Sequence, residues 1–215
     1  MNLLEKGNFV EINDNFLTRS LDVFQGLSRI QEEFDKNDTD TFMNEVRDSV
    51  AAKYLGYTHI NTEKHGFDAR RKSKGMSYEF DYLEVKTASF ESNSWQATFN
   101  DTNLEKADLF TEPNVYLALS VWKGAADLLF VVYGQNPLLG QSLRSKVENF
   151  LTGKGGVRST QSVPISKLVN DFGMIVYSVN KTPGELFNLF QMKNGCRTIP
   201  RNAINAISEL KLNIF

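Results

Sequence analysis

An α/β fold, a mixed central sheet flanked by helices, is what the order of hydrophobic patterns along the 215 residues predicts. Two segments with apolar residues at helical spacing open the chain. Strand-like runs joined by polar, glycine-containing turns follow, and helix and strand patterns then alternate to the C-terminus. Hydrophobic residues make up 41% and charged residues 23%, which is ordinary for a chain folded throughout, and the length suits one domain with its own core.

In order, Asp14 is the expected N-cap of a first helix in which Leu17, Leu21, Phe24, Leu27, Ile30 and Phe34 recur on one face. The polar run Asp35 to Asp40 breaks the pattern. A second helix, from about Thr41 to Leu55, carries Phe42, Val46, Val50 and Tyr54 four apart and ends at Gly56. Tyr57 to Ile60, Phe67 to Arg71 and Tyr78 to Thr87 then read as a meander of three strands. Asn103 to Phe110 reads as a helix. Asn114 to Trp122 and Ala126 to Gly134 read as strands around the turn Lys123-Gly124, and their continuous apolar character predicts burial on both faces. Pro137 to Leu151 is a predicted helix, Gly173 to Asn180 a strand, and Pro183 to Met192 and Pro200 to Leu210 closing helices. Residues 1–215 thus form one domain, with N-terminal helices over 1–56, the sheet core over 57–134, and further helices and a strand over 135–215.

Several function classes are excluded by what the chain contains. The first residues lack the apolar core of a signal peptide, and the longest apolar run, Leu128 to Tyr133, is too short to cross a bilayer, so a cytoplasmic protein without membrane contact is expected. One cysteine, Cys196, with only His59 and His65 beside it, makes no zinc-type ligand set, so any metal must be held by oxygen. Gly153-Lys154-Gly155-Gly156 lacks the spacing and the following Ser or Thr of an ATP-binding loop, so no nucleotide cofactor is expected. A net charge of −2 argues against a broad nucleic-acid coat. It leaves room for a cleft lined by the basic clusters Lys64 to Lys74, Arg144 to Arg158 and Lys193 to Arg201.

The chemistry-bearing pattern is Asp68 followed by Glu84-Val85-Lys86. Strand residues two apart share a face, so Glu84 and Lys86 project together at the end of an aromatic stripe of Tyr78, Phe80 and Tyr82. An antiparallel neighbour brings the Asp68 carboxylate within reach. Two carboxylates can hold Mg²⁺, which keeps several waters and makes one of them a nucleophile, while the Lys86 ammonium stabilises charge developing on a phosphate. The Val85 carbonyl, between the two side chains, is a further oxygen donor. Asp81 also precedes the triplet, yet it lies three residues upstream on the same strand and so faces away from Glu84. The plainer alternative is a Glu84–Lys86 ion pair with Asp68 closing a turn.

Phe67-Asp68-Ala69, Leu83-Glu84-Val85-Lys86 and a preceding helix bearing Glu45 resemble the PD-(D/E)xK nuclease superfamily, type II restriction endonucleases above all. The likeness spans about Thr41 to Phe110, with Phe67 where the family usually has proline. It implies a restriction-endonuclease-like sheet and Mg²⁺-dependent hydrolysis of double-stranded DNA to 5′-phosphate and 3′-hydroxyl ends. It further implies Asp68, Glu84 and Lys86 as catalytic residues, and Asp68, Glu84 and Glu45 as metal ligands. A homodimer would set two centres on two strands and favour palindromic sites, with residues 135–215 serving DNA recognition or dimerisation. A structure-specific repair nuclease on the same core, or a DNA-binding module that does not cut, are the alternatives.

Arg70, Arg71 and Lys72 form a basic turn beside the expected metal, suited to phosphate contacts. Gln96 and Asn100, in the polar segment after Lys86, are four apart and would share one face of a helix, where their amides can pair bidentately with adenine.

Overall fold

A computed structural model describes residues 13–34, 41–60, 66–75, 77–154, 159–192 and 198–207. A mixed seven-stranded sheet, in the order β1-β2-β3-β5-β6-β8-β9, forms the centre. Its strands are β1 (Thr58–His59), β2 (Ala69–Lys72), β3 (Phe80–Ser89), β5 (Val115–Lys123), β6 (Asp127–Gly134), β8 (Ile175–Ser178) and β9 (Ile204–Ala206). The meander β1-β2-β3 is antiparallel, whereas β3 and β5 run parallel, because the chain between them crosses over through β4 (Gln96–Thr102) and α3 (Leu104–Leu109).

Alternation along each strand divides the core. Leu83, Val85, Ala118 and Val131 point to one face, where Leu17, Leu21 and Phe24 of α1 (Asp14–Phe34) and Val46 and Val50 of α2 (Thr41–Tyr54) cover them. Tyr82, Leu117, Leu119, Phe130 and Val132 point to the other. That second face is covered by α3, α4 (Pro137–Lys154), α5 (Ile165–Asn170), α6 (Pro183–Met192) and a separate two-stranded ribbon of β4 with β7 (Ser159–Pro164). The turn at Lys123-Gly124 joins β5 to β6 with Gly124 at φ +59°, and Arg47 of α2 clamps it by donating to the Gly124 and Ala125 carbonyls at 2.6 and 3.0 Å.

Three expectations need correction, and two elements come without one. The cap of α1 is Asn13, whose side chain accepts the Phe16 N–H at 3.0 Å, and Asp14 is instead the first helical residue and pairs with Lys53. The segment holding Gln96 and Asn100 is a strand, because buried Trp95, Ala97 and Phe99 alternate with polar residues. No helix starts at Pro200. A single 3₁₀ turn (Arg201–Ala203) leads into β9, which buries Ile204 against β8, while residues 208–215 lie outside the described ones. Strand β7 and helix α5 carried no pattern distinct enough to be expected.

One close approach holds α3 beside the sheet. A Cβ on Gly140 of α4 would stand 2.7 Å from the Thr111 backbone nitrogen and 2.8 Å from the Phe110 carbonyl carbon, at the end of α3. Gly140→Ala should therefore lower the melting temperature in thermal denaturation, by about 1–3 kcal/mol of overpacking, although alanine favours an isolated helix. An unchanged or higher melting temperature would show that α3 and α4 can part at no cost.

Candidate active site

At the far half of β3 the antiparallel neighbour runs out, and the consequences build the site. Ala69 is the first residue of β2, paired with Leu83, and the register sets Asp68 just beyond it, opposite Glu84. The Asp68 backbone N–H still donates to the Leu83 carbonyl at 3.0 Å. The next donor on that edge, the Val85 N–H, finds the Asp68 carboxylate instead, at 2.7 Å. The side chain thus completes a ladder that its own backbone has left. A strand residue presents N–H and C=O on the same edge, so the Val85 carbonyl lies beside Asp68.

Glu84 and Lys86 project from the opposite edge of the pleat onto one face, as period two requires, and their side chains meet at 2.8 Å. The second Glu84 oxygen is taken by Lys106 of α3 at 2.7 Å. Lys106 is itself buried, donates also to the Gly66 carbonyl at 3.2 Å, and lies over the Phe67 ring at 4.1 Å. Across the strand, Thr87 donates to Asp48 of α2 at 2.6 Å and stands 3.0 Å from the Ser120 hydroxyl on β5. Phe99 of β4 closes the region, 5.6 Å from the Lys86 ammonium.

The charges act on one another. Burial, followed by repulsion from Glu84, raises the Asp68 carboxyl to about 6, against the pull of Lys86, the Val85 N–H and Lys106. Burial and then Asp68 push Asp48 well above the usual carboxylate range. Burial would raise Glu84 as well, but the ammonium groups of Lys106 and Lys86 outweigh it and hold Glu84 down at about 2. Lys86 goes up: Glu84 and Asp68 overcome its desolvation, so it is charged at any working pH.

Asp68, Glu84 and Lys86 are thus brought together. The Glu45 side chain lies outside the described residues, and the helix acid that the structure sets against this cluster is Asp48, three residues on. Asp81 faces away, paired with Arg71 at 3.1 Å. Arg71 alternates onto the face covered by α1 and α2, where, half-buried, it donates also to the Leu55 carbonyl and the Tyr133 hydroxyl and lies 4.3 Å from the Tyr57 ring centre, away from Asp68 and Glu84. Arg70 and Lys72 share the face of Asp68, Arg70 over the Phe80 ring and Lys72 exposed. Gln96 and Asn100 lie together on the outward face of β4, since four residues apart is also two strand periods.

Two residues escaped sequence reasoning. Asp48 had no signal to separate it from Glu45, since buried Arg47 and Ser49 flank it and obscure any clean polar face. Lys106 had one: it stands four residues before Phe110, on the face a core-packed helix keeps apolar.

The donor set suits a hard divalent cation. No group of three or more His, Cys, Asp or Glu side chains among the described residues is gathered closely enough to hold a metal ion by itself. Mg²⁺ does not require one, since it is commonly bound through one or two carboxylates with water and substrate oxygens completing the shell. Asp68, Glu84 and the Val85 carbonyl supply such a partial set. Burial, and after it repulsion among the three acids, raises Asp48 and Asp68, so a cation placed between them would be welcome. Comparison with protein-family models and with curated proteins returned no match.

Metal-free stability carries the signature of this repulsion. An aspartate whose ordinary value is 3.8 and whose folded value is about 6 holds its proton more tightly when folded, so ionising it destabilises the fold. The destabilisation is absent below the lower value and complete above the higher. Asp68→Asn keeps an acceptor for the Val85 N–H, and in EDTA at pH 7 it should melt about 2–6 °C above the parent protein, with the gain shrinking as the pH falls below about 6 and gone once it is below 3.8. A lower melting temperature at pH 7 would mean that Asp68 is not under repulsion.

Proposed function

We propose that the chain is a Mg²⁺-dependent, sequence-specific endonuclease of restriction type that hydrolyses double-stranded DNA to 5′-phosphate and 3′-hydroxyl ends. The carrying observation is that Asp68, Glu84 and Lys86 converge where β2 leaves β3: Asp68 takes the N–H of Val85, the residue between the other two, at 2.7 Å, Glu84 and Lys86 pair at 2.8 Å, and the charges of both act on Asp68. The restriction-endonuclease-like character of the sheet belongs to the same proposal. It draws on the mixed meander-and-crossover arrangement around β3.

Asp68, Glu84 and the Val85 carbonyl would hold the ion. Bound there, Mg²⁺ supplies Lewis-acid polarisation of a phosphate oxygen and a more acidic water. The protein's own groups do the remaining work. Lys86, oriented by Glu84 at 2.8 Å and charged throughout, presents an ammonium to the phosphate as negative charge builds in the transition state. The Val85 N–H fixes the Asp68 rotamer, and Thr87 fixes Asp48 behind it. Arg70 and Lys72, on the Asp68 face of β2, are placed for backbone phosphates, and Gln96 and Asn100 for base edges. A homodimer would present two such centres to the two strands.

Incubated with bacteriophage DNA, the protein should yield discrete bands in Mg²⁺ and none in EDTA. Lys86→Ala should cut at least about 100-fold more slowly while still binding DNA in Ca²⁺, and full cleavage by that variant would refute the assigned chemistry. Because protons compete with the cation for Asp68, the Mg²⁺ concentration needed for half-maximal cleavage should rise as the pH drops below about 6. A Mg²⁺ requirement that stays constant well below that pH would remove Asp68 from the ligand set.

A further inference from the structure

Among the described residues, Lys106 is the one buried lysine that the proposed chemistry does not use. Its ammonium is 2.7 Å from a Glu84 oxygen and its charge acts on Asp68 too, so it stands among the same acids that would receive a cation. It also has somewhere else to rest. The Gly66 carbonyl at 3.2 Å and the Phe67 ring at 4.1 Å are contacts independent of Glu84, supplied by the segment that leads into Asp68. The Asn103 cap, which accepts the Lys106 N–H at 2.8 Å, and the close seat of α3 on Gly140 hold the backbone beneath this side chain in place.

We propose that Lys106 is a built-in counter-ion that competes with the divalent cation for Glu84, so that metal loading requires its ammonium to give up the carboxylate while keeping Gly66 and Phe67. This rests on the reading of the site as a divalent-metal nuclease centre. A buried glutamate without a cation would be costly, and Lys106 removes that cost in the metal-free protein. The consequence is a weakened metal affinity: the ion meets a partner already in place, and Lys106 is a positioning residue that sets how much Mg²⁺ the enzyme needs.

The test is Mn²⁺ binding without DNA, followed by calorimetry and by the electron-spin signal of free Mn²⁺. Lys106→Met preserves length and removes the charge. It should bind Mn²⁺ about tenfold or more tightly, as expected when a unit charge a few ångströms from the ion is removed, and that gain should vanish when Asp68→Ala is added. Lys106→Arg should bind no more tightly than the parent. Unchanged or weaker Mn²⁺ binding by folded Lys106→Met, with the parent still cutting DNA, overturns the competition and leaves the nuclease reading standing. Absence of Mn²⁺ binding in every variant, with no cutting, overturns both. If Lys106→Met does not fold, the ¹³C-labelled side-chain signal of Lys106 in the parent protein decides: a saturable shift on adding Mg²⁺ supports the competition, and an unmoved signal ends it.

Discussion

A glutamate enclosed midway along β3, with an ammonium group on each oxygen, is the interaction around which the rest of this structure is arranged. Removing ionised groups from water is expensive, and a buried ion pair often does no better for stability than well-packed apolar side chains of the same volume. Glu84, Lys86, Lys106, Asp68 and Asp48 together take that cost several times over. Three acids face two bases, and burial with mutual repulsion makes Asp48 and Asp68 hold their protons more tightly than usual. Strongly shifted titration of such a cluster is a mark of functional sites, which supports the proposed metal centre.

The sheet makes the cluster possible by what it withholds. Had β2 continued antiparallel to β3 past Ala69, its backbone would have occupied the Val85 N–H, and Asp68 would have been one more strand residue. Ending the pairing there frees the edge of β3 for a carboxylate. On the other side, the parallel partner β5 pairs with β3 continuously from Tyr82 to Ser89, so the residues that need precise placement keep a complete ladder on one edge. The crossover between β3 and β5 delivers both Phe99 and Lys106 to the same end, one on β4 and one on α3. No helix among the described residues is long and apolar enough to cross a membrane, which fits a core closed by helices on both faces.

What the sequence made legible follows the reach of local periodicity. The meander, the parallel-capable apolar strands and the common face of Glu84 and Lys86 all come from spacings of two to four residues, and these the structure shows. Asp68 needed only the simplest long-range step, a neighbouring strand. Where the outcome turned on which neighbour a residue would meet, local pattern was silent. Asp48 and Glu45 look alike on one helix, Arg71 looks as available as Arg70 until strand alternation sends it to Asp81 and Tyr133, and β4 is hidden because its polar face is as regular as its apolar one. The terminal segment misled for a related reason, since a proline followed by scattered apolar residues suits a helix start as well as the 3₁₀ turn that feeds β9.

The account stands on a single place for a cation, between Asp68 and Glu84. Crystals soaked in Mn²⁺ and measured at a wavelength where manganese scatters anomalously locate it without reference to activity. The expected result is one anomalous peak within coordination distance of an oxygen of each of those carboxylates and of the Val85 carbonyl. A peak elsewhere, or none beside Asp68 while Glu84 remains locked to both lysines, would contradict it.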